Sequence, residues 1–305
     1  MLKIPETGLE ILVPGSTSNL GAGFDTFGLA LRVYLRLRVR PADAFHVALS
    51  GEGESELARD ASNLVLKTYL RACEQFNLPA KSIALEIHND IPLKRGLGSS
   101  GAAIAAGLHL ASLQSETQLP MQQLLELGCE IEGHPENLVA SMLGGFCVNC
   151  YDSGRLHYAQ FTSLPAFKAV LLIPDLTIST EVARRLLPKS VQFADAVANV
   201  QRAGLMVAGL LGGDLALLRQ AVSDTLHQPF RKKLIPGFDG ILAAAYEAGA
   251  NAAFLSGSGS TILALTIDPD AAERIAKALK AAAVEVELPA RTKIVELHTS
   301  GVQSR

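Results

Sequence analysis

At 305 residues the chain has room for about two domains of ~100–200 residues and for a core that needs no disulfide or metal staples. Lys and Arg (27) against Asp and Glu (30) give a net charge of −3, and 19% charged with 49% hydrophobic residues is ordinary globular composition. A disordered chain, a stapled mini-protein and a general electrostatic grip on nucleic acid are thereby excluded. Apolar runs such as 102–108 and 205–211 fall short of the ~18 residues that span a bilayer, and the opening MLKIPETGLE has no apolar h-region. The expectation is a soluble, unexported, cytoplasmic protein with no membrane or nucleic-acid partner. Cys73, Cys129, Cys147 and Cys150 then read as reduced, buried apolar residues, since the lone Cys-x-x-Cys has no second pair to complete a zinc site.

In chain order, Leu9 to Val13 is a short strand, and Arg32 to Arg40 alternates, with Val33, Leu35, Leu37 and Val39 on one face and arginines with Tyr34 on the other. That row is a solvated strand face rather than a nucleic-acid stripe, because no stacking aromatics interleave it. Phe45 to Leu49 and Ile83 to Ile87 are further strands. Between them Leu64, Val65, Tyr69, Leu70, Cys73 and Phe76 recur at helical spacing behind Ser62 as N-cap. Gly101 to Leu113 reads as a buried alanine-rich helix, and Met121 to Ile131, after Pro120, as another. A domain boundary is expected near 153–167. Beyond it come a strand at Ala169–Ile173, helical stretches from about Glu181 to Ala248, strands at Ala252–Ser256 and Ile262–Ile267, a helix opened by Asp268 and Pro269, and a strand at Thr292–Leu297. The order β-α-β-β-α-β is the split pattern of ferredoxin-like folds.

The chemistry concentrates in a few loops. Ile91 to Gly107 follows a strand and enters a helix. Gly96, Gly98 and Gly101 let backbone approach a ligand, Ser99 and Ser100 add hydroxyls, Lys94 and Arg95 flank them, and the helix start offers free amides to an anion. This is a phosphate cradle, although neither a Walker A loop nor a G-x-G-x-x-G fingerprint. In Glu130 to Asn137 a helix breaks at Gly133 and Pro135 amid carboxylates that suit a hard cation beside phosphate. His134, taken on spacing alone, reads as a structural group at the helix end. Pro14 to Asp25 is dense in small polar residues suited to a polar ligand, and Ser256 to Thr261 is either a glycine hairpin turn or another backbone wall around the ligand.

At these motifs the sequence resembles the GHMP small-molecule kinases over nearly its whole length. The matching segments are VPGSTSNLGAGFD (13–25), PLKRGLGSSGAA (92–103) and LSGSGST (255–261). Within that superfamily EGHPEN (132–137), STEVARRLLP (179–188) and HQPFRKKLIPGF (227–238) resemble the homoserine kinase family. The resemblance implies an α+β GHMP kinase fold. An N-terminal domain like ribosomal protein S5 domain 2 would cover 1–160 and bind ATP, and a ferredoxin-like C-terminal domain would cover 161–305, with the active site between them.

It also implies the site residues. ATP would lie on Pro92, Leu93, Lys94, Arg95, Gly96, Leu97, Gly98, Ser99, Ser100, Gly101 and Ala102, with Mg²⁺ held by Ser100 (or Ser99) and Glu132. L-homoserine would be held by Asn19, Asp25, His134, Asn137, Thr180, Arg184 and Arg231. Two arginines suit an α-carboxylate, Asp25 an α-ammonium, and Asn137, with Lys94, the transfer itself. No general base is implied, since phosphoryl transfer rests on positioning and charge neutralisation. A homodimer is the family's implied assembly. Departures from the family pattern are Glu136 in place of Asp, Ser260 in place of Pro, and Leu138-Val139-Ala140 in place of Val-Ala-Pro. The alternatives are a GHMP kinase for mevalonate or a sugar, and a sensor without turnover.

Overall fold

The computed structural model describes residues 4, 5 and 7–305. The first sheet is built from β1 (Leu9–Ser18), β2 (Phe27–Pro41), β3 (His46–Gly51), β4 (Ile83–Asn89), β5 (Phe146–Asp152), β6 (Arg155–Phe161) and β11 (Gln303–Ser304). Its order is β11-β1-β2-β4-β3, with β5 added on β2 and β6 on β5. All pairs are antiparallel except β3 with β4. The expected alternation in β2 is present, and three of its four outer arginines are neutralised in place, Arg32 with Glu296, Arg36 with Asp90 and Arg40 with Glu86, while Arg38 donates to Thr7 O. Exposed pairs of this kind contribute little to stability, but they break the row so that no continuous basic stripe is left for a polyanion.

Helices α1 (Leu64–Gln75), α2 (Ser99–Gln114), α3 (Met121–Glu132) and α4 (Glu136–Leu143) complete the first unit, with α2 and α4 packed on β1. The start of α1 differs from the sequence reading: Asn63 is the N-cap, its Oδ1 accepting from Val65 N at 3.1 Å. Ser62 instead donates to Asp60 Oδ1 in the turn before it. Within the region 153–167 read as a boundary, residues 155–161 form the second arm of the β5–β6 hairpin, and 162–167 are the connection.

The second sheet comprises β7 (Lys168–Pro174), β8 (Ala252–Leu255), β9 (Ile262–Thr266) and β10 (Ala290–Glu296), ordered β10-β7-β9-β8 and antiparallel throughout. This is the ferredoxin-like arrangement. Helices α5 (Thr180–Arg185), α6 (Phe193–Gly212), α7 (Leu215–Ala221), α8 (Gln228–Arg231) and α9 (Phe238–Glu247) all fall in the crossover from β7 to β8, and α10 (Pro269–Glu285) in that from β9 to β10. Strand β7 is apolar without alternation because both its faces are covered. Val170 and Leu172 pack in the cluster of α9 and α10, whereas Ala169, Leu171 and Ile173 join the core of the first unit.

One core therefore runs through both units, and the chain end strengthens the tie. Ser304 and Gln303 pair with Ile11 and Leu12, so the first sheet takes strands from both ends of the chain. That return departs from a second unit running unbroken to 305. Two residues carry too little periodicity to announce a strand, and β11 exists because the edge of β1 offers unpaired backbone groups. Cys73, Cys129 and Cys147 are buried as expected, but Cys150 is exposed, the odd offset of three in β5 turning it to the other face from Cys147. Among the described residues no cluster of three or more His, Cys, Asp or Glu gathers around a metal-sized space, and no helix is long and apolar enough to cross a membrane.

Candidate active site

A cavity of 340 Å³ opens between the two units, and every residue assigned to ATP, metal or acceptor lines it except Gly101 and Ala102. It has two ends separated by the loop 92–100. At one end Leu35, Leu49, Leu57, Leu64, Val65 and Ile87 form an apolar wall with Asn63 and Asn89 beside it. Sequence reasoning missed this wall, because its residues are ordinary core positions of strands and helix that only meet in three dimensions. A flat, partly polar ring system is the ligand such a slot suits.

The loop itself is shaped by what lies outside it. Its carbonyls are taken by other segments: Lys94 O by Ile178 N, Arg95 O by Thr261 N, Gly96 O by Ser256 Oγ, Leu97 O by Ser16 N. The first amides of a helix have no partner within it, and here α2 starts at Ser99 and Ser100, which line the cavity, so the positive helix end offers an anion-binding concavity there. Lys94, Gly96 and Gly98 have φ of 53°, 72° and 71°. At Gly96 a Cβ would stand 2.0 Å from Ser256 O, and at Gly98 one would stand 2.2 Å from Ser16 Oγ, so both positions demand glycine.

Gly101 serves a different end from the one expected. Its missing Cβ lets α4 approach, since a Cβ there would lie 2.9 Å from Leu138 N, and Ala102 is wholly buried. Arg95 also departs from the expectation. Its Nε donates to Pro174 O at 2.7 Å and NH1 to Leu93 O, so its guanidinium ties the loop to the end of β7. The Lys94 ammonium sits 3.7 Å from Glu56 and is exposed, at the cavity mouth.

At the other end Asn137 is fixed from two sides: Ser16 Oγ donates to its Oδ1 at 3.0 Å and its Nδ2 donates to Ser18 Oγ at 3.0 Å. Both serines follow the irregularity at Pro14/Gly15, where the register of β1 against β2 shifts and turns the end of β1 toward the loop. Asn19 Nδ2 donates to Gly257 O and its Oδ1 accepts from Asp25 N, which joins the polar loop of the first unit to the β8–β9 turn of the second. The Ser256 to Thr261 segment is thus both a hairpin turn and a wall of the site. Asn19 and Asp25 hold φ of 71° and 54°, conformations that Asn and Asp tolerate.

Charges in this end are almost matched. Arg184 makes a two-pronged bond to Asp25 at 2.8 and 2.9 Å, which outweighs burial and holds the arginine pKa above its usual value. His134 Nδ1 lies 3.2 Å from Glu136 Oε1. Burial alone would lower the His134 pKa, but this partner, with Glu132 beyond it, raises it; the same contact outweighs burial to lower that of Glu136. One imidazole thus faces two carboxylates, and an arginine has none, so charge of each sign is left in excess. Glu132, its side chain only 6% exposed, shares His134, whose Nε2 lies 4.0 Å from its Oε1, with Glu136 and otherwise has only the neutral Ser100, whose Oγ donates to Oε1 at 2.5 Å; burial raises its pKa. Arg231, 2% exposed, donates NH1 to Gly257 O at 3.1 Å and faces no carboxylate; burial and then Arg184 lower its pKa to about 10. Buried charges without a counter-charge are costly, so this cavity is prepared for a cation beside Glu132 and an anion beside Arg231. Phe24, overlooked at the sequence level inside an otherwise polar motif, lies under both guanidinium groups, 5.6 Å from Arg184 Cζ and 5.1 Å from Arg231 Cζ.

A family model for the GHMP kinase N-terminal domain matches residues 63–145, and one for the C-terminal domain matches 206–285. Fold, loop and family models together define a GHMP kinase, a phosphotransferase that uses ATP. The chain is 40% identical to the homoserine kinase of Aquifex aeolicus over 89% of its own length and 91% of that protein. It is 38% identical to the homoserine kinase of Caldicellulosiruptor bescii over 84% of each. The crystal structure of homoserine kinase from Cytophaga hutchinsonii superposes with a TM-score of 0.88 at 28% identity, covering 99% of this chain and 98% of that one. The chain belongs to the homoserine kinase family.

Proposed function

We propose that the protein transfers the γ-phosphoryl group of ATP to the side-chain hydroxyl of L-homoserine, giving O-phospho-L-homoserine and ADP on the route to threonine. The observation that carries the reading is the buried, carboxylate-free Arg231 beside the Asp25–Arg184 pair. A zwitterionic amino acid fits this arrangement: its carboxylate supplies the counter-charge Arg231 lacks, with Arg184 beside it, and its ammonium meets Asp25. Mevalonate has a carboxylate but no ammonium, and a sugar has neither.

The adenine lies on the apolar wall of Leu49, Leu64 and Val65, and the triphosphate over Gly96 to Ser100. Ser100 and Glu132 fit a Mg²⁺ site, one hydroxyl and one buried carboxylate that has only a His134 shared with Glu136 as counter-charge; phosphate oxygens and water would complete the shell. When bound, the ion neutralises charge on the β- and γ-phosphates. Asn137, locked by Ser16 and Ser18 and with its second Nδ2 hydrogen toward Glu136, retains lone-pair capacity at Oδ1 to accept from and orient the acceptor hydroxyl. The hydroxyl oxygen forms the new bond to the γ-phosphorus as the bond to the β-phosphate oxygen breaks. The proton leaves with the product phosphate or solvent, so no strong base is needed. Lys94, at the mouth, adds positive charge over the phosphates and is a binding rather than a reacting group.

The test is ADP release with ATP and Mg²⁺ for L-homoserine, mevalonate, galactose, L-serine and no acceptor. Turnover dependent on homoserine is expected. ADP release with a different alcohol would condemn the arginine assignments, and none from folded, ATP-binding protein would indicate a sensor.

The protein acts in the cytoplasm as a homodimer in this reading, and α6 supports the second part. Among the described residues, seven of the thirteen exposed large hydrophobic side chains fall within 182–211. Phe193 is 85% and Val200 73% exposed. Phe193, Val197, Val200, Gly204, Val207 and Leu211 recur at alternating steps of four and three, a single charge-free seam along α6. An antiparallel second copy would oppose Phe193 to Leu211, Val197 to Val207 and Val200 to Gly204, with helix dipoles complementary. Val200→Glu should convert the dimer to monomer in sedimentation; an unchanged dimer removes this face from the interface.

A further inference from the structure

We infer that His227 is a positioning residue, which holds the Arg231 guanidinium in its carboxylate-binding pose by accepting an N–H at Nδ1 while donating from Nε2 to Gly21. The inference rests on the acceptor role given to Arg231 above. His227 is wholly buried and does not line the cavity, so it touches neither ligand.

The proton placement follows from its neighbours. Nε2 lies 2.8 Å from Gly21 O, and a carbonyl oxygen only accepts, so Nε2 carries the hydrogen. Nδ1 lies 3.4 Å from Arg231 NH1, and a guanidinium only donates, so Nδ1 presents its lone pair. Both contacts require the neutral ring in one tautomer. Burial, pushing the His227 pKa down, favours that neutral form. Asp224 approaches Nε2 to 3.6 Å, but its oxygens are taken by the backbone N–H groups of Leu226, His227 and Gln228, where it caps the turn into α8.

The consequence is a chain of contacts through three segments that the cavity needs in register. Gly21, in the loop bearing Asn19 and Asp25, binds His227; His227 binds Arg231; Arg231 binds Gly257, which also accepts from Asn19. Phe24 stacks on the His227 ring at 5.2 Å and lies under Arg231. Every acceptor around Arg231 in this chain is neutral, which fixes the guanidinium without cancelling the charge it offers the ligand. A carboxylate in the place of His227 would hold the arginine equally well and consume that charge.

Two isosteric variants separate the contacts. In His227→Asn, Oδ1 takes the position of Nδ1 and keeps the bond from Arg231. In His227→Gln, Nε2 keeps the bond to Gly21 and the acceptor toward Arg231 is lost. With the full chain, excess Mg²⁺ and each substrate varied while the other is saturating, His227→Gln should raise KM for homoserine about tenfold or more, with kcat and the KM for ATP within about twofold, and His227→Asn should stay within about threefold of wild type. Arg231→Ala should raise the same KM further, and adding His227→Gln to it should cost nothing more.

A rise with Arg231→Ala but none with His227→Gln overturns the positioning role and leaves the acceptor site standing. Equal losses of KM and kcat in both His227 variants also overturn it, as they mark packing alone. No change with Arg231→Ala overturns the acceptor reading itself. Should His227→Gln fail to fold, ¹⁵N spectra of the wild-type imidazole still decide: the neutral Nε2–H tautomer is expected, with the Nδ1 signal moving in Arg231→Lys. A protonated ring or the opposite tautomer would sink the inference.

Discussion

The two ends of the cavity are built on different principles. The phosphate loop is contiguous, nine residues between β4 and α2, and works through backbone that other segments hold from outside. The acceptor end is assembled from five separated stretches, around residues 19–25, 132–137, 180–184, 224–231 and 256–258, and works through charged side chains paired with one another. A backbone site is intolerant of shape change and indifferent to most side chains. A side-chain site tolerates small shape changes but loses selectivity when one partner is removed.

The sharpest test of that contrast is Gly96→Ala. Its Cβ would meet a backbone oxygen at 2.0 Å, so the loop must move by about 1 Å, and kcat/KM should fall on the order of 100-fold with both substrates affected. Near wild-type kinetics would mean the loop is not the rigid cradle described. On the acceptor side Arg184→Ala should raise KM for homoserine roughly 10- to 100-fold while the KM for ATP is unchanged, because the lost contact is to a non-reacting group. Equal changes in both constants would erase the distinction between the two ends.

Glu132→Gln sits on the border. It removes the buried carboxylate but keeps a partner for Ser100, so half-maximal activity should require about tenfold more Mg²⁺. A wild-type Mg²⁺ titration would remove Glu132 from the metal site.

The smallest effect is on stability. His134 has its pKa raised in the folded protein, so its share of stability is fully present below the unfolded value of 6.5 and is lost as pH rises through the folded value. Glu136 has its pKa lowered, so its share is present above 4.5 and is lost as pH falls through its folded value. Wild type should therefore exceed Glu136→Gln in Tm most between those two values and lose that advantage toward alkaline pH. A gap independent of pH across that range would mean the pair carries no net ionic stabilisation.

What was legible beforehand follows the same divide. The phosphate loop could be read because glycine, serine and the following helix are neighbours in sequence; what could not be read is that Arg95 also ties the loop to β7 and that Gly101 and the buried Ala102 lie outside the cavity, Gly101 against α4. The acceptor residues were reached through family resemblance rather than spacing, since no local pattern links Asp25 to Arg184 or Glu132 to Ser100. Phe24 and His227 escaped notice although both stand inside quoted motifs. An aromatic in a polar loop and a histidine ahead of a proline become meaningful only once Arg231 is seen between them.

By itself the sequence determined the periodic elements, the order β-α-β-β-α-β of the second unit and the cradle before α2, because hydrophobic period, turn chemistry and helix starts act over a few residues. The tertiary structure alone decided the return of β11 to β1, the shared core on both faces of β7, the apolar wall for the base, and which buried charges stay unmatched. Those depend on distances between segments far apart in the chain, 238 residues for Asn19 and Gly257 and more for Ile11 and Ser304, and burial and charge balance are properties of what surrounds a side chain rather than of its neighbours along the chain.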